Sequence, residues 1–269
     1  MKRTQFSAVA VVVIAVFLCA AAPAFAQISL GTAQNFAVLG GSTVTNTGPS
    51  TITGNLGVSP GSAVTGFPPG IVTGGSIHAA DAVAGQAQSD LTTAYNTAAG
   101  TPCSVDLTGQ NLGGLVLTPG VYCFTSSAGL TGTLTLNFQG NPNAAFLFKI
   151  GSTLTTASAS SVVLTNNGGA ACPPNVNWQI GSSATLGTGS TFRGNILALT
   201  SITLTTGANV TGRALARNGA VTLDTNNVNS SACAAVGQQQ IPALGSAALM
   251  TLMALLAGVG VFAIKRLTS

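Results

Sequence analysis

An irregular (discontinuous) β-solenoid, mainly β, with one long α-helix packed alongside and a C-terminal transmembrane helix is the fold class the sequence predicts. Three observations point to it: a Thr-Leu-Thr phrase that returns in register, an alanine-rich stretch with helical spacing, and a terminal apolar run without charge. The phrase reads Thr153-Leu154-Thr155-Thr156, Thr185-Leu186-Gly187-Thr188, Thr203-Leu204-Thr205-Thr206 and Thr222-Leu223-Asp224-Thr225, with an earlier copy at Thr133-Leu134-Thr135-Leu136. Successive starts lie 20, 32, 18 and 19 residues apart. The shorter steps suit one coil of a solenoid, and the long one implies an insertion around Cys172-Pro173-Pro174. Side chains alternate along an extended strand, so each central leucine faces inward and its flanking threonines face outward. Stacked coils would then present a ladder of hydroxyls and methyls.

Ser76 to Ala99 has no proline, and Ile77, Ala80, Ala84, Ala87, Leu91, Ala94 or Tyr95, and Ala98 recur in steps of three and four. That spacing marks one face of a helix over about 76–99, with Ser76 as N-cap and Gly100 and Pro102 ending it. Before it, from Gln27 to about Gly75, short β-like runs are punctuated by Gly48-Pro49, Pro60-Gly61 and Pro68-Pro69-Gly70, which reads as irregular β structure at one end of the solenoid. After it, Asp106 to about Cys233 is the repeat region.

Only 4 % of the residues are charged, so solubility must rest on hydroxyls and amides. Lys2, Arg3, Lys265 and Arg266 sit at the chain ends; between them Lys149, Arg193, Arg213 and Arg217 are balanced by Asp81, Asp90, Asp106 and Asp224. No basic stripe is present to engage phosphates, which argues against a nucleic-acid partner. The basic residues fall on or beside the Gly-bounded apolar segments. The threonine strands are uncharged except for Asp224, and that last coil reads as the edge of the surface.

Residues 1–26 read as a secretory signal: Lys2 and Arg3, an apolar stretch from Phe6 to Ala22, and a small-x-small site at Ala24-Phe25-Ala26. Export makes the four remaining cysteines disulfide candidates. Cys103 with Cys123 and Cys172 with Cys233 is the preferred pairing, and the other two connectivities stay open. With one histidine, His78, and no C-x-x-C spacing, neither a metal site nor a cofactor is expected. A solenoid domain over 27–235 and a polar linker over 236–242 lead to a transmembrane or sorting segment at 243–266. Its uncharged part, Ala243 to Ile264, is long enough to cross a bilayer and is closed by Lys265 and Arg266. The chain is therefore expected at the cell surface, anchored by this segment or released after processing.

Several separated matches, in order, carry a family resemblance. They are Leu30-Gly31-Thr32-Ala33-Gln34-Asn35-Phe36-Ala37-Val38-Leu39-Gly40, Thr53-Gly54-Asn55-Leu56-Gly57, Leu117-Thr118-Pro119-Gly120-Val121-Tyr122, and Gly194-Asn195-Ile196-Leu197-Ala198 followed by Gly212-Arg213-Ala214-Leu215. Over Leu30 to about Cys233 the chain resembles the bacterial and fungal ice-binding (antifreeze) family, whose fold is an irregular β-solenoid flanked by a helix. Some members carry Thr-(Ala/Gly)-x-(Thr/Asn) motifs on the ice-binding face, which Thr188-Gly189-Ser190-Thr191 and Thr206-Gly207-Ala208-Asn209 match. Thr156-Ala157-Ser158-Ala159 and Thr225-Asn226-Asn227-Val228 are degenerate counterparts. The terminal segment, beginning Ile241-Pro242-Ala243-Leu244, resembles bacterial Ile-Pro-Thr-Leu-type sorting signals.

The resemblance implies a partner in ice or ordered water. The candidate ice-binding residues are Thr133, Thr135, Thr153, Thr155, Thr156, Thr185, Thr188, Thr191, Thr203, Thr205, Thr206, Asn209 and Thr222, centred on the strands that begin at Thr153, Thr185 and Thr203. A rival reading is a surface adhesin or structural solenoid contacting cell-surface polysaccharide. An enzyme is not expected: the four aspartates do not form a pair, and no glutamate is present. Trp178 is expected to pack beside the Cys172 insertion, and His78 to lie at the helix start.

Overall fold

The computed structural model describes residues 27–169 and 175–231, and the calls on the signal (1–26), Cys172, Cys233 and the 243–266 segment lie outside them. Alternating inward leucines and outward threonines produce short parallel strands, and these build a fifteen-stranded and a seven-stranded sheet. They wind as a three-sided coil. Face b is the seven-stranded sheet, in spatial order Ala128–Leu130, Leu154–Thr156, Ala184–Leu186, Ile202–Leu204, Val221–Asp224, Thr43–Thr47 and Ala63–Thr65. The larger sheet supplies the other two sides. Face c contains Thr133–Asn137, Ser161–Thr165, Asn227–Asn229 and Thr51–Thr53, and face a contains Gly120–Phe124, Phe146–Ile150, Val176–Ile180 and Phe36–Gly40.

Two long strands, Thr191–Ala198 and Asn209–Ala216, run from face c into face a. They turn at Gly194 and Gly212, whose φ angles of +107° and +145° no side chain favours. A Cβ on Gly212 would stand 2.0 Å from the Gly194 carbonyl oxygen. Glycine is therefore obligatory where these coils stack at the corner.

The stacking order departs from the chain order. Strand Phe36–Gly40 pairs with Asn209–Ala216, Thr43–Thr47 with Val221–Asp224, and Thr51–Thr53 with Asn227–Asn229. The amino-terminal segment is thus regular solenoid added beyond the last repeat, at the end opposite the first repeat. The helix α1, Ala82–Gly100, lies between these coils in sequence and covers face a, burying Ala84, Ala87, Leu91, Ala94, Tyr95 and Ala98. These six occupy the helix positions the spacing predicted. All of them but Ala84 join Leu39, Leu147, Leu197 and Leu215 in the outer apolar layer.

The predicted helix start is corrected. Ile77–Ala79 is a strand on face a, and the N-cap is Asp81, whose Oδ1 accepts from the Ala84 N–H at 2.8 Å. His78 Nδ1 lies 2.7 Å from Asp81 Oδ2, so the histidine braces the cap. Ser76 instead donates its N–H to Asn55 Oδ1. Asp beats Ser as cap because the preceding three residues gain a sheet partner that a longer helix would forgo.

The inner core is closed by a stack of rings. Phe148 and Trp178 lie parallel with centroids 3.8 Å apart, Tyr122 stacks on Phe148 at 5.5 Å, and Phe192 tilts against Trp178 at 4.8 Å. Trp178 is fully buried and donates its ring N–H to the Arg193 carbonyl at 3.0 Å, so it is a central core residue; the insertion it was expected to pack beside lies outside the described residues. Cys103 and Cys123 form a disulfide that ties the segment after α1 to face a. Among the described residues no helix is long and apolar enough to cross a membrane.

Three carboxylates hold turns. The Ala84 N–H and then His78 keep the Asp81 carboxyl below its ordinary pKa. The Thr32 hydroxyl and N–H do the same for Asp90, and the Thr108 hydroxyl and N–H for Asp106. A lowered folded pKa contributes stability that is complete above the unfolded value, about 3.9, and lost as pH falls through the folded value. Thermal melts should therefore fall in midpoint as pH drops below about 4. Asp81→Asn and Asp90→Asn together should be less stable at neutral pH and show a flatter acid slope; an unchanged slope would contradict these ties.

Candidate binding face

The outward positions of face b form columns because its strands pair in register. Thr155 stands beside Thr185, Thr185 beside Thr203, Thr203 beside Thr222, Thr222 beside Thr45, and Thr45 beside Thr65. Six threonines thus line one column, preceded by Gly129. Neighbours along such a column are about 4.8 Å apart, and positions two apart on a strand about 6.7 Å. A flanking row holds Thr153, Ser183, Ser201 and Thr43, and the other flank holds Thr205, Asp224 and Thr47. Beneath the face, Leu154, Leu186, Ile202, Leu204, Val221, Leu223 and Val44 are buried and fix the strands. Their β-branched partners above have restricted χ1, so the methyl and hydroxyl positions repeat from coil to coil.

Hydroxyls interact across the coils. Thr45 donates to Thr222 at 3.4 Å, Thr188 to Thr205 at 3.4 Å, and Thr153 to Ser127 at 2.9 Å. Thr205 also donates to the Leu186 carbonyl at 2.7 Å.

Of the sequence candidates, Thr153, Thr155, Thr185, Thr203, Thr205 and Thr222 fall on face b. Thr133 and Thr135 do not: they pair with Ser161 and Val163 on face c, and the face-b strand of their coil is Ala128-Gly129-Leu130. Thr191 and Asn209 also belong to face c, where they pair with each other. Thr188 and Thr206 sit at the corner between faces b and c. Thr156 points inward, 3 % exposed, and its Oγ1 accepts from the Gly187 N–H at 2.9 Å.

The Thr156 assignment fails because the first phrase is displaced by two residues. Leu154 pairs with Ala184, whereas Leu186 pairs with Leu204. A slip of two keeps every side chain on its side of the strand, so alternation alone does not reveal it.

The Thr-Gly-x-(Thr/Asn) motif is the b–c corner itself. Gly189 and Gly207 have φ of +67° and +71°, and the following Ser190 and Ala208 are buried. Ala159 and Thr225 also have positive φ, at 57° and 54°, which makes Ser158-Ala159-Ser160-Ser161 and Asp224-Thr225-Asn226-Asn227 the true counterparts. Their registers differ from those read off the letters.

Sequence reasoning missed Thr43, Thr45, Thr47 and Thr65. The alternation in Thr43-Val44-Thr45-Asn46-Thr47 was the available signal; its place on face b depends on long-range stacking.

Basic side chains are kept off this face by the rest of the fold. Arg213 is buried beneath the amino-terminal segment, donating to the Gln34 carbonyl and to Asn195 Oδ1, both at 2.9 Å; burial lowers its pKa to about 10. Arg217 lies over the Tyr95 ring of α1, Lys149 donates to the Thr101 carbonyl, and Arg193 is on face c.

A helix-covered solenoid with one regular, nearly uncharged threonine face defines a class of proteins that present an extended, repeating surface. Residues 38–229 match the Ice-binding-like family, and the chain belongs to it. A relative described as an ice-binding protein, from Nostoc sp. (strain HG1), is 63% identical over 205 residues, covering 76% of this chain and 74% of its own. Two solved structures have the same fold. One, an ice-binding protein from an Antarctic biological consortium, shares 50% identity at a TM-score of 0.72 and covers 76% of this chain and 90% of its own. The other, an ice-binding protein from the Antarctic ascomycete Antarctomyces psychrotrophicus, shares 40% at 0.72, covering 76% and 98%. Residues 239–266 match the IPTL-CTERM motif, so both resemblances read in the sequence hold.

Inward and outward threonines should separate in stability. Thr156→Val removes the acceptor of a buried N–H and should cost about 1–3 kcal/mol in urea unfolding, while Thr155→Val on the surface should stay within about 0.5 kcal/mol. Equal costs would contradict the two-residue displacement.

Proposed function

We propose that this chain is exported and binds ice through face b, inhibiting ice growth or recrystallisation, or attaching the cell to ice. The observation that carries the reading is the in-register column from Thr155 to Thr65 on a face otherwise almost free of charge. Water over such an array is held at repeating positions by hydroxyls, while the methyls between them limit its other orientations. Each contact is weak. Affinity is a sum over the array, so regularity matters more than any one residue.

Family membership supports this reading, as do the names of the relatives. The matched tail supports retention at the cell surface, with 243–266 as a membrane-crossing or sorting segment. In that arrangement the partners are ice on one side of the protein and the membrane on the other end of the chain.

The test is ice-crystal shaping and recrystallisation by the 27–235 fragment. Thr203→Tyr with Thr222→Tyr should abolish ice shaping with little change in melting temperature, because both side chains are outward. Val163→Tyr, on face c, should retain it. Full shaping by the folded Thr203/Thr222 variant would refute face b as the site, and loss only in Val163→Tyr would move the site to face c. For the tail, cell fractionation should recover the full chain with the envelope and a chain ending at 235 in the medium; release of both would refute retention.

A further inference from the structure

The fold moves Asp224 away from the place its repeat implies. In chain order it ends the last Thr-Leu-Thr strand, yet Thr43–Thr47 and then Ala63–Thr65 stack beyond it, with Thr47 directly beside Asp224. Asp224 is therefore on the fifth of seven strands, inside face b and not at its edge. It is the one charged residue in the strands of that face.

Its surroundings define what it presents to water. The carboxylate is partly exposed and turned to the b–c corner, where the Thr206 hydroxyl donates to Oδ2 and the Thr225 hydroxyl to Oδ1, the latter at 3.0 Å. Both hydroxyl protons are thereby committed. Thr206 and Thr225, which are exposed, offer only lone pairs outward, and an ionised carboxylate has no proton to give. In the column, hydroxyls such as those of Thr155, Thr185 and Thr203 can rotate to donate or accept as a lattice requires. Here every facing water must point a proton at the protein, and the charge favours a mobile, oriented shell that a fixed lattice of donors and acceptors cannot supply.

Resting on the reading of face b as the ice-contacting surface, we infer that Asp224 is a specificity-determining residue that limits ice contact. It interrupts the flanking row between Thr205 and Thr47, beside the column from Thr155 to Thr65, which runs on unbroken through Thr222 and Thr45. Contact is thereby confined to the column where the charge stands. Removing the charge lets the flanking row join it.

The experiment compares the full chain with Asp224→Asn and Asp224→Thr in an ice-affinity partition assay, with crystal habit recorded and Thr203→Tyr run alongside. Both Asp224 variants should raise the ice-bound fraction by roughly two- to fivefold, the scale of one exposed charge, with Thr203→Tyr losing it. Thermal melts establish that each variant is folded; Asn keeps an acceptor for one of the two hydroxyls, and Thr suits an exposed strand, so the two test the charge independently of the corner bonds. An unchanged or lower ice-bound fraction in the folded Asp224 variants, with loss in Thr203→Tyr, overturns this inference alone. Full partition by folded Thr203→Tyr overturns the face-b reading on which it stands.

Discussion

Parallel, in-register pairing between coils is the constraint on which the rest of this protein depends. Each strand satisfies its backbone donors and acceptors from the coils above and below, so a coil can be added wherever an open edge offers the same register. Here that freedom is used out of order: the amino-terminal coils complete the edge left by Val221–Asp224 and Asn227–Asn229. The seven-strand length of face b is thus a product of long-range pairing between the first and last parts of the domain. The helix follows from this arrangement. Once the first coils lie at one end and the next repeat begins at the other, the chain must travel back along the stack, and α1 makes that passage while burying face a.

Division of labour among the three sides then becomes physical. Covering one side with α1 and the amino-terminal segment gives the arginines and Lys149 carbonyls and a ring to contact, so most of the charge is disposed of where a polar neighbour already exists. Face c takes Arg193 and a mixture of Val, Asn and Thr. Face b is left with the repeated small and β-branched residues. Its one exception, Asp224, is anchored by neighbouring hydroxyls and so does not stand straight out from the array.

Much of this was legible in the sequence where the signal was local. The buried face of α1 followed from three- and four-residue steps, and the inward leucines at 154, 186, 204 and 223 followed from alternation. What escaped was set by partners distant in the chain. Thr133-Leu134-Thr135 has the letters of a face-b strand but pairs on face c, since the identity of a side is decided by which corner precedes it. Thr156 looks like its neighbours in the phrase, but the strand runs on through it, and two residues beyond inward Leu154 it faces the core. Asp81 displaced Ser76 as cap because Ile77–Ala79 found a sheet edge at Asn55–Val58.

The corner motif illustrates how a sequence pattern and a surface can be confused. Its glycine answers to a positive φ and its third residue to burial, so two of the four letters are fixed by the turn. The first and last letters are exposed, but the last stands at the start of face c while the first closes face b. Two sides of a prism do not share a plane. A planar partner that covers the column from Thr155 to Thr65 therefore meets the first position of the motif at its margin and leaves the last outside. The recurrence of the motif at the coil period reflects the repeat of the corner, and the threonine column carries the regularity that a crystal surface could match.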